Sequence, residues 1–274
     1  MSLVELEKVR DRCELIRTIR HFTEIGSTSD FCRTLAEDRN QRDQLHGMLV
    51  VADYQTSGRG RHLRAWESPP GKSVLATLIL SPAQLRLLHS QGTESSVSEI
   101  LGTLPMLIPV AICRSLGEFG VEARVKYPND VTVGGRKICG VLLETAGDRQ
   151  NPFVLVGIGL NVDQSIDELP PASMYAATSL FLETGRHLRI SEVLESLLTQ
   201  VGQMLAEVDS AGCRAEFETA CDTLGRRVRI EQDAGSLLGV ATGIAGDGSL
   251  MVLTDGKTVN VPSGRIMKLY VLGD

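Results

Sequence analysis

The chain has no C-x-x-C pair among its cysteines at 13, 32, 113, 139, 213 and 221, and none of them falls at a metal-ligand spacing. That argues against metal and disulfide frameworks; Cys32, Cys113 and Cys139 lie among apolar neighbours, as buried thiols do. Excess positive charge is also missing. Lys and Arg number 28 against 34 Asp and Glu, for a net charge of -6. This balance argues against broad nucleic-acid binding, which needs a basic face, but not against local capture of a phosphate. No apolar run approaches the ~18 residues of a membrane span. The first twenty residues, "MSLVELEKVRDRCELIRTIR", are charged and amphipathic, unlike a signal peptide. There is no internal repeat or low-complexity tract. A cytoplasmic, reduced globular protein is expected. Its 274 residues, 42% hydrophobic and 23% charged, suit one large domain and one small one.

Leu3, Leu6, Val9, Cys13, Ile16 and Ile19 recur at helical spacing and predict a helix over 3–18. "HFTEI" reads as a strand, and the hydroxyls of "GSTSD" can cap a helix over 29–44. "GMLVVADY" and "KSVLATLIL" read as strands, 81–99 as mostly a connection after a short start, and 101–120 as a buried helix despite Pro105 and Pro109. "EARVKYPND" predicts a strand ending in a turn. "VTVGGRKICGVLLET" predicts a hairpin turning at Gly134-Gly135, and "PFVLVGIGLNV" a further strand. Helices are expected in "ISEVLESLLTQVGQMLAEV" and "CRAEFETACDTLG". After Gly225 only short strands and Gly/Asp turns remain, five strands in about fifty residues, the texture of a small β-barrel. The expected fold class is α+β, a mixed β-sheet flanked by helices over 1–222 with a small C-terminal β-barrel over 223–274.

One stretch departs from the acidic background. "QTSGRGRHLRAWESPPG" (55–71) gathers Arg59, Arg61 and Arg64 among glycines, beside the sole tryptophan. Glycines let a backbone approach a ligand, and guanidinium forks suit carboxylate and phosphate; a solvated surface loop is the alternative. In "VKYPND…GGRKICGVLLE", Lys126, Asn129 and Asp130 cluster at a strand end, and Lys137 enters an apolar strand. An ammonium there either meets an anion or snorkels to water. Asp130 with Asn129 either holds Mg²⁺ through oxygen or forms an Asx-turn. Ser27, Thr28 and Ser29 either cap a helix or donate to a small polar ligand, and Asn161 ends an apolar strand. Two other motifs fail. "PPGKS" lacks the P-loop glycine, since position 66 is tryptophan, and runs into a strand; "GIGLNV" lacks the third dinucleotide glycine.

Taken together, "GSTSD", "YQTSGRGRHLRAW", "VKYPNDVTVGGRKICGVLLE" and "VGIGLNV" resemble the biotin protein ligases in order and spacing, over about residues 21–165, with a weaker likeness extending to a C-terminal β-barrel. The resemblance implies an enzyme that makes biotinyl-5′-adenylate from biotin and ATP, then transfers biotin to a lysine of a biotin carboxyl carrier protein domain. It implies that Lys137 bridges the biotin carboxylate and the α-phosphate, and that Arg59 and Arg61 contact the adenylate or triphosphate. Gly58 and Gly60 would permit close backbone approach. Ser27, Thr28 and Gln55 would bind the ureido ring, Trp66 would wall the thiophane ring and valeryl chain, and Gly140 and Gly157 would leave room for biotin. Lys126, Asn129, Asp130 and Asn161 would serve ATP, with Asp130 holding its Mg²⁺ or orienting the acceptor lysine.

Departures from the family pattern are Tyr127 in place of the usual tryptophan and Ser29 in place of asparagine. No match is assigned over 163–180, where an adenine-covering loop is expected. About twenty residues precede "HFTEIGST", too few for the winged helix of the bifunctional members, so DNA binding is not expected; no membrane contact is expected, and exposed sheet edges leave a homodimer open. The rival readings are a lipoate or octanoate ligase or transferase on the related fold, and a non-catalytic biotin-binding module.

Overall fold

A strand that is apolar at every position must be covered on both faces, and β2 (Met48–Ala52), buried throughout, is such a strand. In the computed structural model, which describes residues 1–272 apart from 39, 89–96, 149, 172–175, 207–209 and 234, alternate residues of β2 serve two cores. Leu49 and Val51 face a layer built from α1 (Leu3–Arg12), α4 (Val97–Glu118) and α6 (Ile190–Ala206). Met48 and Val50 face α2 (Thr28–Glu37), through Cys32, Leu35 and Ala36.

The sheet has seven strands in the order β1-β2-β3-β7-β6-β5-β4. β1 (Thr18–Phe22) runs parallel to β2, with α2 as the crossover. All other pairs are antiparallel: β2 with β3 (Ser73–Leu80), β3 with β7 (Pro152–Asn161), β7 with β6 (Arg136–Gly147), β6 with β5 (Asp130–Val133), and β5 with β4 (Arg124–Lys126). The sheet is therefore mixed and flanked by helices. The β5–β6 hairpin turns at Gly134 and Gly135 with φ of 55° and 76°, the paired left-handed values that glycine adopts without steric cost.

α4 keeps its helix through Pro105 and Pro109. An internal proline costs about 3 kcal/mol. α4 also buries Leu104, Leu107, Ile108, Ile112 and Leu116 to within 1% exposure, at about 1.5–3 kcal/mol for each side chain, so burial wins.

The predicted helix over 3–18 stops at Arg12. Cys13 and Ile16 stay buried, but Arg17 and Thr18 both donate their N–H to Gly47 O and turn the chain into β1. The helix over 29–44 likewise ends at Glu37, leaving a short 3₁₀ turn at Arg42–Gln44. Of the predicted connection 81–99, α3 (Pro82–Leu88) is its start, 89–96 lie outside the described residues, and α4 begins at Val97. Part of 163–180 also lies outside them; its end leads into α5 (Leu180–Thr184), a short helix that the sequence reading did not anticipate.

Beyond α7 (Ser210–Ala220) the five expected strands form an antiparallel sheet. They are β8 (Arg227–Gln232), β9 (Gly235–Ile244), β10 (Leu250–Thr254), β11 (Lys257–Val261) and β12 (Lys268–Val271), ordered β11-β10-β9-β8-β12. Among the described residues the two end strands share no ladder, so the sheet is not closed by hydrogen bonds. Its Val228, Ile230, Ala241 and Leu250 join the same core as Tyr127 and Phe217. Tyr127 OH donates to Gly248 O at 2.9 Å, tying the β4–β5 turn to this second sheet.

Candidate active site

On the face that α2 covers, the side chains of the seven-stranded sheet shrink along the strands. Ile79, Leu155 and Ala146 pack under the helix. The next row is Thr77–Gly157–Leu142, and the one after it Leu75–Gly159–Gly140. A cavity opens above these glycines. Its walls are the N-terminal end of α2, the arginine loop, the β4–β5 turn, β6 and β7, and residues 266–269 leading into β12.

α2 begins with three buried hydroxyls. Ser27 is the N-cap and accepts from Asp30 N–H. Thr28 donates its backbone N–H and its hydroxyl to Gln55 Oε1, at 2.7 and 3.0 Å. Thr28 and Ser29 both meet the hydroxyl of Thr77, at 2.8 and 3.1 Å. A hydrogen-bonded polar cluster of this kind, at the end of an apolar sheet face, suits a small ligand that both donates and accepts. Thr77 escaped the sequence reading because it sits inside an unbroken apolar run. Gly157 explains the close fit, since a Cβ there would lie 2.9 Å from Ser29 Oγ.

Residues 58–66 form a small hairpin. Trp66 N–H donates to Gly58 O, Gly60 N–H donates to Arg64 O, and Arg59 and Ala65 form a bridge between the arms. Gly58 lies at its base, outside the cavity lining, where a Cβ would come within 2.5 Å of Trp66 O. The Trp66 indole lies on the glycine floor: a Cβ at Gly159 would fall 2.4 Å from Cε2, and one at Gly140 3.1 Å from Cζ3. Gly159 was not singled out, although Gly157 in the same segment "VGIGLNV" was, because a glycine inside a strand has no local mark of its role.

The loop's cations divide into two groups. Arg59 reaches Asp30 on α2 and Glu144 on β6. Arg61, His62 and Arg64 reach backbone carbonyls before β12. Arg61 Nη2 donates to Ser263 O and, at 3.5 Å, to Ile266 O; Nη1 donates to Asn129 Oδ1 at 3.3 Å. His62, at φ 52°, donates from Nε2 to Ile266 O at 2.7 Å. Arg64 donates to Met267 O at 2.9 Å. Burial lowers the Arg61 pKa, because none of its hydrogen-bond acceptors is a carboxylate.

Lys137 Nζ lies 2.5 Å from Asp130 Oδ1 and 5.5 Å from the centre of the Trp66 ring. In a regular strand Lys137 and Gly140 would face opposite sides. Here Thr132 pairs with Lys137 and Val131 with Cys139, so Ile138 is an extra, bulged residue and Lys137 joins Gly140 on the cavity side. The backbone of Lys137 also pairs with residues 176–178, bringing the end of the 163–180 segment to the edge of the site. Burial pushes the Lys126 ammonium down to about 8 against the attraction of Asp130. Asn129 donates to Val141 O at 2.6 Å, which pins the turn to β6.

Of the residues singled out from sequence, Ser27, Thr28, Gln55, Arg59, Gly60, Arg61, Trp66, Lys126, Asn129, Asp130, Lys137, Gly140 and Gly157 line this one cavity. Asn161 does not: it is buried behind it, donating to Thr178 O and accepting from Gln164. Among the described residues no three His, Cys, Asp or Glu side chains cluster as metal ligands, and no helix is long and apolar enough to cross a membrane.

A model of the biotin/lipoate A/B protein ligase family matches residues 22–163, and one of the biotin protein ligase C terminal domain matches 223–269. The chain is 30% identical over 235 residues to the bifunctional ligase/repressor BirA of Bacillus spizizenii, a match covering 84% of this chain and 67% of that protein. It is also 30% identical over 239 residues to the biotin--[acetyl-CoA-carboxylase] ligase of Mycobacterium tuberculosis, covering 82% and 80%. The structure of a biotin protein ligase from Aquifex aeolicus in complex with biotin and ATP superimposes with a TM-score of 0.75 at 26% identity, over 94% of this chain and all of that one. With more than half of its length inside the first of these matches, and its cavity built from the residues that carried the resemblance, the chain belongs to the biotin/lipoate A/B protein ligase family.

Proposed function

We infer that this chain is an ATP-dependent biotin protein ligase. A biotin carboxylate oxygen attacks the α-phosphate of ATP, the bond to pyrophosphate breaks, and biotinyl-5′-adenylate forms. The amine of an acceptor lysine then attacks the acyl carbon, and AMP leaves. Both steps proceed without an enzyme nucleophile; they need two anions held together and the growing charge offset by fixed cations.

The observation that carries this reading is that Arg61 and Lys137 share one cavity with the buried hydroxyls of α2 and with Gln55. Ser27, Thr28 and Gln55 suit the ureido ring, and the glycine floor under Trp66 suits the thiophane ring and valeryl chain. Lipoate carries no donors or acceptors to match that polar end. We assign to Lys137 the bridge between carboxylate and α-phosphate, to Arg61 the adenylate phosphate, and to Lys126 and Asn129 the triphosphate. An ammonium already desolvated, as Lys126 is, gains most from an arriving anion. Asp130 suits Mg²⁺, which binds by one carboxylate together with phosphate oxygens and water and which offsets phosphate charge. Asp130 can also accept the proton of the acceptor lysine, which must attack as a neutral amine.

The acceptor is a biotin carboxyl carrier domain, and the setting the cytoplasm. Residues 1–222 carry the chemistry, and 223–274 form a smaller unit that completes the cavity wall. Pyrophosphate exchange measured side by side with biotin, lipoate and octanoate tests the reading. Exchange with biotin at least about tenfold above the others is expected, one missing set of polar partners being worth more than that; exchange led by lipoate or octanoate, or none at all, overturns it.

A further inference from the structure

Arg59 does not face the cavity as an uncompensated cation. Its Nη2 lies 2.5 Å from Asp30 Oδ1 and 3.3 Å from Glu144 Oε2, and its Nε 3.2 Å from Asp30 Oδ2. Glu144 Oε1 in turn meets Arg33 Nη2 at 2.7 Å. The result is a chain of alternating charge, Asp30–Arg59–Glu144–Arg33, with two positive and two negative members and no net charge. Asp30 and Arg33 lie one turn apart on α2, and Glu144 lies on β6 two residues beyond Leu142 of the cavity wall. Arg59 is thus the only group that links the first arm of the arginine loop to both walls by ion pairs among the described residues. Arg33, Glu144 and Arg59 are 33, 20 and 24% exposed, so solvent screens the pairs made by Glu144 less than surface pairs, whereas Asp30 is 52% exposed and its pair with Arg59 is screened more.

We propose that Asp30, Glu144 and Arg33 are positioning residues that act through Arg59 to tether the first arm of the arginine loop across the cavity. Arg59 is then a strut whose charge two carboxylates neutralise, and stabilisation of the reacting anions falls to Arg61, which pairs with none, and to Lys137, which has the single partner Asp130 among the described residues. The consequence for retention of the acyl-adenylate rests on the ligase reading; the tether itself does not. Losing the tether raises the population of an open arm from which the intermediate escapes, while in the closed form, still the major one, Arg61 and Lys137 keep their positions.

The loop carries its own reporter, because trypsin cleaves after Arg61 and Arg64 when the arm opens. In the whole protein without ligand, Glu144→Gln and Asp30→Asn should each speed nicking in the loop by about tenfold, a rate that follows the population of the open form. Thermal stability and cleavage elsewhere should not change. Added to Arg59→Ala, neither substitution should speed nicking further, since the three groups act as one unit. Nicking at the wild-type rate in both single variants, or full additivity with Arg59→Ala, overturns the tether. In parallel, Glu144→Gln should release free biotinyl-adenylate about tenfold faster than wild type, with pyrophosphate exchange within about twofold. Equal loss of exchange and retention overturns the division of roles. Failure of the unaltered protein to exchange pyrophosphate strikes the ligase reading alone, and the nicking data still decide the tether.

Discussion

The two ends of the arginine loop are anchored by different chemistry. The first arm, at Arg59, is held by carboxylates that cancel its charge. The tip, at Arg61, His62 and Arg64, is held by the carbonyls of Ser263, Ile266 and Met267, which orient a guanidinium without neutralising it. A cation bound only by dipoles in a desolvated pocket keeps its full charge for an incoming anion; a cation bound by carboxylates does not. One short sequence of like-charged residues therefore supplies both a fastening and an electrostatic device, and the surroundings decide which is which.

This contrast predicts a graded set of effects. The largest should come from the two cations assigned to the reacting anions: Arg61, which no carboxylate neutralises, and Lys137, whose ion pair with Asp130 must give way to the ligand. Arg61→Ala and Lys137→Ala should each retain the fold and lower pyrophosphate exchange by about 100-fold or more, roughly 3 kcal/mol of transition-state stabilisation. Arg61→Ala with near-normal exchange would erase the distinction between tip and arm.

The floor beneath Trp66 comes next. Gly159→Ala places a methyl group 2.4 Å from the indole. The indole must move, at about 1–3 kcal/mol of overpacking, and the KM for biotin should rise about tenfold while that for ATP changes little. Equal effects on both substrates would mean that Trp66 and this floor do not belong to the biotin end.

The smallest effect tests the third kind of cation. Lys126 is half-buried with its ammonium enclosed near Asp130, which is already engaged by Lys137, and its pKa falls to about 8 from 10.5. Because the folded value lies below the unfolded one, the charged form destabilises the fold fully below pH 8, and stability recovers as pH rises from 8 toward 10.5. Lys126→Met should therefore raise Tm at pH 7 by about 2–4 °C, and the gain should fade by pH 10.5. A gain that persists at high pH would assign it to packing rather than charge.

Much of the scaffold was legible because its signals are local. The Gly134-Gly135 turn, the apolar runs of β2, β3 and β7, and the buried α4 each follow from a few neighbouring residues. The helix over 3–18 was read too long because Cys13 and Ile16 keep the helical spacing even where the backbone no longer does. Their burial is real, but the parallel pairing of β1 with β2 takes the chain away. Within the site, the arginine loop and the Lys126–Lys137 segment stood out by charge against an apolar or acidic background. Thr77 and Gly159 did not, since a threonine or glycine inside a strand has no local mark of its role. Asp30 and Glu144 end two of the segments that carried the resemblance, "GSTSD" and "VKYPNDVTVGGRKICGVLLE", but were given no role, because nothing nearby in sequence names their partner.

By itself the sequence determined most of the lining of the cavity, because charge, hydroxyl and glycine content at close spacing are chemical facts that survive without coordinates, and the resemblance of its motifs to a known family implied the reaction. Only the tertiary structure decided which arginine is neutralised, which side of the sheet Lys137 faces and what closes the cavity from the C-terminal side. Those outcomes depend on strand register, a single bulged residue and contacts between segments far apart in the chain, and such long-range geometry leaves no local trace in the order of the residues.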